Sequence, residues 1–296
     1  MLIYKYLATD RPQALDNATL RATQADALND PFELKPFFRT IFEMSDLTSI
    51  LAEQASEENL LDRVYEQLPE NIRARLSKEN VGVLMAQDEI RQGMEKTRRD
   101  FRTAVSHELP ALSSRAREIL HEQLGSKIGI ISFTDDPTNP LMWSHYASEH
   151  RGYAIEFDGT HPFFDRRRSK EDEFFHLRPV RYMNNLSAHE KLADLDGTSV
   201  LCAKQSAWAY EREHRLLVPV DPSTQTDVTN PIHLIHFPRE CVRSVILGGR
   251  STVVLESELG TILQRYSAYA DVKLRRATAD FASGSIVISD VKATNI

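Results

Sequence analysis

The sequence predicts an α+β fold: a mixed sheet flanked by helices, with an all-helical insertion after the first strand. Three observations predict it. Short runs of β-branched and aromatic residues open and close the chain. Helical spacing replaces them between about residues 38 and 125. From Lys127 onward, strands and short helices alternate. This gives one core domain built from residues 1–37 and 126–296, with residues 38–125 as a helical insertion or lid.

The elements run in this order. The segment LIYKYL (residues 2–7) reads as a strand, ended by the turn signal Asp10-Arg-Pro12 and a short helix or loop. Leu28-Asn-Asp-Pro-Phe-Glu33 is a turn, because Asn and Asp side chains ahead of Pro bond their own backbone. Ser56 then caps a helix with Leu60, Leu61, Val64, Tyr65 and Leu68 on one face, stopped by Pro69. Further helices are expected over 77–102 and 111–124. The basic run Lys96-Thr-Arg-Arg-Asp-Phe-Arg102 reads as a solvated helix face, with partner or nucleic-acid binding as the alternative.

Residues 127–134 (KIGIISFT) form the next expected strand, turned by Asp135-Asp-Pro137. LMWSHYA (141–147) is a short helix. In the strand GYAIEFD (152–158), Tyr153, Ile155 and Phe157 share one face and Ala154 and Glu156 the other. A charged loop comes next, then a strand over 178–183, a helix over 200–209 and a strand over 211–220. The strand 242–247 enters Gly248-Gly-Arg250. The helix 253–266 presents Leu255, Leu259, Ile262, Leu263 and Tyr266 on one face, and two strands, over 272–275 and 285–289, finish the chain.

Composition narrows the function classes. The 296 residues are 41% apolar and 27% charged, as in a soluble globular protein. No apolar run approaches the roughly 20 residues of a membrane helix, and the first residues, MLIYKYLATD, lack a signal-peptide layout. A cytoplasmic protein without membrane contact is the expectation. Cys202 and Cys241 have no CxxC spacing and read as buried thiols. The formal charge of −7 argues against broad attraction to nucleic acid, though not against a local basic groove. No HExxH or calcium-loop spacing is present, so no metal is expected.

The densest chemistry lies in AKQSAWAYEREHRLLVPV (203–220). If 211 onward is a strand, Glu211, Glu213 and Arg215 share a face, with the two carboxylates roughly 6–7 Å apart. Lys204, on the preceding helix, would join them. Such a cluster keeps carboxylates ionised while one reaches a substrate hydroxyl; the plainer reading is an ion-pair ladder on a half-exposed strand. Trp208 reads first as a core anchor.

Met142-Trp-Ser-His-Tyr146 is the second candidate. Trp143, His145 and Tyr146 lie within one helical turn and could wall a pocket for a planar ligand; the plainer reading packs Trp143 and Tyr146 under the sheet. No GxSxG elbow accompanies Ser144, so a hydrolase triad is rejected. Gly248-Gly-Arg-Ser-Thr252 is a weak phosphate signal beside an ordinary strand–helix turn.

Taken in order, YKY, NDPFE, ISFTDDPTNPLMWSHYASEHRGYAIEFD, the W-x-YE-x-EHR stretch and VRSVILGG resemble the bacterial family called domain of unknown function 2971. The resemblance spans most of the chain outside the helical insertion. Its members are thought of near mobile elements and defence genes, which implies an effector role of toxin or phage-defence type.

A looser resemblance is to arginine-modifying ADP-ribosyltransferases. These carry a basic or aromatic residue on an N-terminal strand, a Ser-x-Ser/Thr strand and a Glu-x-Glu turn, in that order. Tyr4-Lys5-Tyr6, Ser132-Phe-Thr134 and Glu211-Arg-Glu213 keep the same order here. The first-strand Arg of several such enzymes is missing, with Lys5 the nearest basic residue, and the insertion stretches the first spacing. The resemblance implies NAD as a substrate, Glu213 on its ribose hydroxyl, Glu211 orienting the acceptor and Ser132 supporting the site. Tyr4, Lys5, Tyr6, Asn29, Asp30, Trp143, His145, Tyr146, Lys204, Trp208 and Arg215 are the candidate cofactor-binding residues. The acceptor would be a protein or nucleic-acid target. Two rival readings stand beside it: a non-enzymatic sensor holding a ligand or partner with its aromatic residues, and an RNA-directed nuclease using His145 or His214 with Lys204.

Overall fold

In a computed structural model, the structure describes residues 1–24, 27–30, 57–88, 127–184, 201–220 and 232–291, with scattered positions between 90 and 115. Two compact units make up the chain, one of residues 1–36, 120–188 and 196–296, the other of residues 37–119 and 189–195.

The larger unit is built on a ten-stranded sheet. Its strands are β1 (Leu2–Leu7), β2 (Thr19–Gln24), β3 (Ile128–Thr134), β4 (Tyr153–Asp158), β5 (Leu177–Pro179), β8 (Glu213–Pro219), β9 (His233–His236), β10 (Val242–Leu247), β11 (Lys273–Asp280) and β12 (Ser285–Asp290). The order along the sheet is β12-β11-β10-β4-β1-β3-β2-β9, and β8 pairs with both β3 and β5. Only β10 and β11 run parallel within it. A separate parallel pair joins β6 (Arg181–Met183) to β7 (Ala203–Gln205). Helices α1 (Gln13–Asp16), α5 (Pro140–Tyr146) and α6 (Val253–Arg265) complete the unit.

Strand alternation decides which face each residue serves. On β1 and β4, Ile3, Leu7, Tyr153, Ile155 and Phe157 enter one core, which α6 closes with Leu255, Leu259, Ile262 and Leu263. Tyr4, Tyr6 and Ala154 enter the opposite core, which α5 closes with Met142 and Trp143. The α5 start is fixed by Asn139, whose side chain accepts the Leu141 amide at 2.9 Å, and by Pro140 in the first turn.

The described residues of the smaller unit form helices joined by turns. These include α2 (Glu57–Gln67), α3 (Glu70–Arg73) and α4 (Lys78–Met85), the last capped by the Ser77 hydroxyl, which accepts the Asn80 amide. Most of the expected helix over 111–124, the cap at Ser56 and most of the basic run 96–102 lie outside the described residues.

Several local expectations are corrected. The expected helix over 200–209 does not continue past Leu201: Ala203–Gln205 is a strand, and Ser206–Glu211 coils into a 3-10 turn. β8 begins at Glu213 rather than 211. The expected strand over 178–183 is two strands, β5 and β6. β2 and β9 have no counterpart among the expected strands, and β11 is longer than its signal.

One strand junction sets an opening in the sheet. β1 and β3 pair at a single position, Tyr4 opposite Thr134. Beyond it the two strands part. The gap is spanned by Lys5, whose Nζ donates to the Ser132 carbonyl at 2.9 Å.

Candidate functional site

The parting of β1 and β3 opens a hollow of about 230 Å³. Tyr4, Lys5 and Tyr6 line one side, Ser132 and Thr134 another, and Asn29, Met142, Tyr146, Lys204, Glu211 and Glu213 the rest. Each is positioned by its element. β1 carries the tyrosines, β3 the hydroxyls, α5 Tyr146, β7 Lys204, and the start of β8 Glu213.

Glu211 and Glu213 do not share a strand face. Glu211 ends the 3-10 turn, and Arg212 (φ 45°, ψ 48°) swings the chain through a left-handed conformation before β8 begins. An Asp135 carboxylate 2.6 Å from Arg212 Nε fastens this corner. The corner turns both carboxyl groups toward Lys204. Lys204 Nζ donates to Glu211 Oε2 at 2.7 Å and lies 3.4 Å from Glu213 Oε2. Arg215 shares the β8 face with Glu213 and grips it through Nε at 2.8 Å and Nη2 at 3.0 Å, while its Nη1 donates to the Leu201 carbonyl. All four side chains are at most 5% exposed. Two anions and two cations balance, the condition under which buried charges persist.

Residues from the Asn29-Asp30 turn extend the cluster. Asn29 Nδ2 donates to the Tyr146 hydroxyl at 2.6 Å, and that hydroxyl donates a short hydrogen bond to Glu211 Oε1. Asp30 is buried, and its charge bears on Arg215. Trp208 is half-buried rather than a core anchor; Lys204 Nζ sits 4.9 Å over its ring. The Tyr182 hydroxyl accepts the Glu213 amide at 2.7 Å.

Burial displaces the ionisations. Burial pushes the Glu213 carboxyl up, with Lys204 and the Ser132 hydroxyl holding it partly back. Burial works against charge on Lys204 too, but Glu213 and Glu211 outweigh it and raise its proton affinity. Arg215 is brought down to about 9 by desolvation, opposed by Asp30. Lys5 is brought down to about 8 by desolvation, against the pull of Glu213. Burial and the neighbouring Glu211 keep Tyr146 protonated far into the alkaline range. Burial and close charge partners of this kind occur in chemical sites and in structural ion-pair networks alike.

Two candidates lie elsewhere. Trp143 is fully buried; its indole N–H donates to the Pro137 carbonyl at 2.8 Å and its ring meets Tyr6 edge-on at 4.9 Å. It is a core residue and does not line the hollow, whereas Tyr146, three residues on at the end of α5, does. His145 is exposed and borders a second chamber, so neither it nor His214 lines the hollow with Lys204. The Tyr4 hydroxyl turns away to bond Glu156 on the neighbouring strand.

The glycine turn after β10 is structural. A Cβ on Gly248 would come within 2.2 Å of the His150 carbonyl oxygen, and the amides of Gly248 and Arg250 already donate to Gly152 and His150. Among the described residues no group of three or more His, Cys, Asp or Glu is placed to hold a metal ion, and no helix is long and apolar enough to cross a membrane.

A family model described as "Protein of unknown function (DUF2971)" matches residues 142–216, the span that carries Tyr146, Lys204, Glu211, Glu213 and Arg215. No curated protein and no solved structure matches the chain.

Proposed function

We propose that this chain is an NAD-consuming, ADP-ribosyltransferase-like enzyme acting on a protein or nucleic-acid target. The observation that carries the reading is the convergence of Glu213, Glu211, Ser132 and Tyr146 on one hollow between parted strands. That hollow is smaller than the roughly 300–1,000 Å³ of most ligand pockets, so it suits the nicotinamide-ribose end of a dinucleotide rather than the whole.

In this reading Tyr146 packs on the nicotinamide ring. The bond between ribose C1′ and the ring nitrogen breaks, and its electron pair leaves with neutral nicotinamide. Positive charge builds on the ribose, and Glu213 stabilises it by accepting a hydrogen bond from the 2′-hydroxyl. Glu213 has its acceptor positions filled by Arg215, Lys204 and Ser132. The 3.4 Å Lys204 contact is the longest of those measured, and the ribose hydroxyl takes its place. Glu211 orients the acceptor, whose nucleophilic atom forms the new bond at C1′ and loses its proton to that carboxylate. Arg215 keeps Glu213 in a single rotamer throughout.

The filling of Glu213's acceptor positions also favours a second reading, a sensor that binds a ligand without turning it over. Incubation with NAD separates the two. The enzyme releases free nicotinamide, and Glu213→Gln lowers that rate by on the order of 100-fold or more while circular dichroism stays native. An unchanged rate in the variant rejects Glu213. No release by the native chain, with saturable ligand binding, leaves the sensor.

A further inference from the structure

A second chamber, of about 510 Å³, opens beside the first and shares Lys5, Tyr6, Thr23, Ala27 and Tyr146 with it. Its charge is opposite in character. Arg11, Arg21, Lys5 and His145 line it, with Gln13 and Asn17 between them, and among the described residues no acidic side chain does. In a chain of net charge −7 this is a local reversal.

The two arginines here are unspent. Arg21 is half-buried and its Nε has no hydrogen-bond partner, and no ion pair to Arg11 or Arg21 is found among the described residues. Arg11 instead bears on Lys5 and helps drive its proton affinity down. Like charges held together without a counter-charge cost free energy, which a bound anion returns. Arginine suits the purpose, since its planar fork binds phosphate oxygens in pairs.

We propose that this chamber binds the phosphate groups of a phosphorylated ligand, with Arg11 and Arg21 as the phosphate-binding residues and Lys5 at the wall between the two chambers. Taken with the proposed function, on which this extension rests, the ligand lies across the shared wall. Its ribosyl end meets Glu213 in the acidic hollow and its diphosphate lies among the arginines. The two chambers select a sugar joined to phosphate over either alone.

Calorimetric titration with inorganic pyrophosphate and with ADP-ribose tests this on the full chain. Both are expected to bind, ADP-ribose more tightly. Arg11→Gln and Arg21→Gln should each weaken both by roughly tenfold, the loss of one charge-assisted contact. Arg11 is exposed, so its variant keeps the test alive if Arg21→Gln fails to fold. Pyrophosphate binding that is lost in the arginine variants, with ADP-ribose no tighter than pyrophosphate, supports the phosphate chamber and removes the NAD reading. Absence of pyrophosphate binding, or affinity unchanged in both variants, overturns the chamber, whether or not nicotinamide is released from NAD.

Discussion

Arg215 holds Glu213, two residues before it on the same strand face, through two nitrogens at 2.8 and 3.0 Å, and the guanidinium is fully enclosed. The strand backbone fixes their separation, so the pair forms without ordering a distant loop. Removing the cation alone leaves Glu213 to Lys204 and the Ser132 hydroxyl and takes a positive charge from beside Asp30. Arg215→Met should therefore destabilise the fold by about 3–5 kcal/mol. The double change Arg215→Met with Glu213→Gln should recover part of that loss. Urea unfolding of the four species measures the coupling, and additive effects would show that the contact does not hold the site together.

Lys5 gives a pH dependence with a definite sign. Its folded proton affinity is depressed, to about 8. Between about pH 8 and the ordinary lysine range near 10.4 the unfolded chain binds the extra proton, so its contribution to stability rises with pH across that window. Below about 8 both states are charged and the full penalty is present. Lys5→Met should raise stability at pH 7 by about 2 kcal/mol, allowing for partial exposure, and the advantage should shrink toward pH 10. Comparing the two proteins by urea unfolding cancels the tyrosines that titrate at higher pH. A pH-independent difference would place the Lys5 amine in water.

Arg212 should be replaceable only by a residue that accepts its backbone. A left-handed conformation costs a non-glycine residue about 1 kcal/mol, and the ion pair to Asp135 is largely exposed on the arginine side. Arg212→Gly should stay within about 1 kcal/mol of the native chain, relief of strain offsetting lost entropy. Arg212→Val should lose on the order of 2 kcal/mol and shift Glu211 away from Lys204. Equal stability of the two variants would mean that this corner does not aim the carboxylate.

Much of the frame is legible in the sequence because period and burial agree. The alternation of YAIEFD and the i, i+4 leucines of α6 each name a face, and the faces are occupied as named. Asp136 behaves as a turn residue, its carboxylate accepting from the Thr138 amide and hydroxyl. The site is legible in its residues and less so in its geometry. AKQSAWAY is rich in helix formers, yet its first residues pair beside β6 and bury Lys204 against two carboxylates, a tertiary gain that local preference does not contain. Nothing in Arg212 announces a positive φ, so Glu211 and Glu213 read as strand neighbours. Trp143 and Tyr146 look equivalent in sequence, and only the folded structure separates the core ring from the open one. The chamber of Arg11 and Arg21 is invisible for a simpler reason: each is an isolated cation in its own segment, and folding alone unites them.

The lone Tyr4–Thr134 pairing divides the sheet into two blocks sewn by one stitch. Whatever occupies the opening touches both blocks, β1 on one side and β3, with β8 beside it, on the other. An occupant thus works as a rivet. Its affinity includes the work of clamping the blocks together, so any change that loosens the seam, however far from the carboxylates, will be felt as weaker binding.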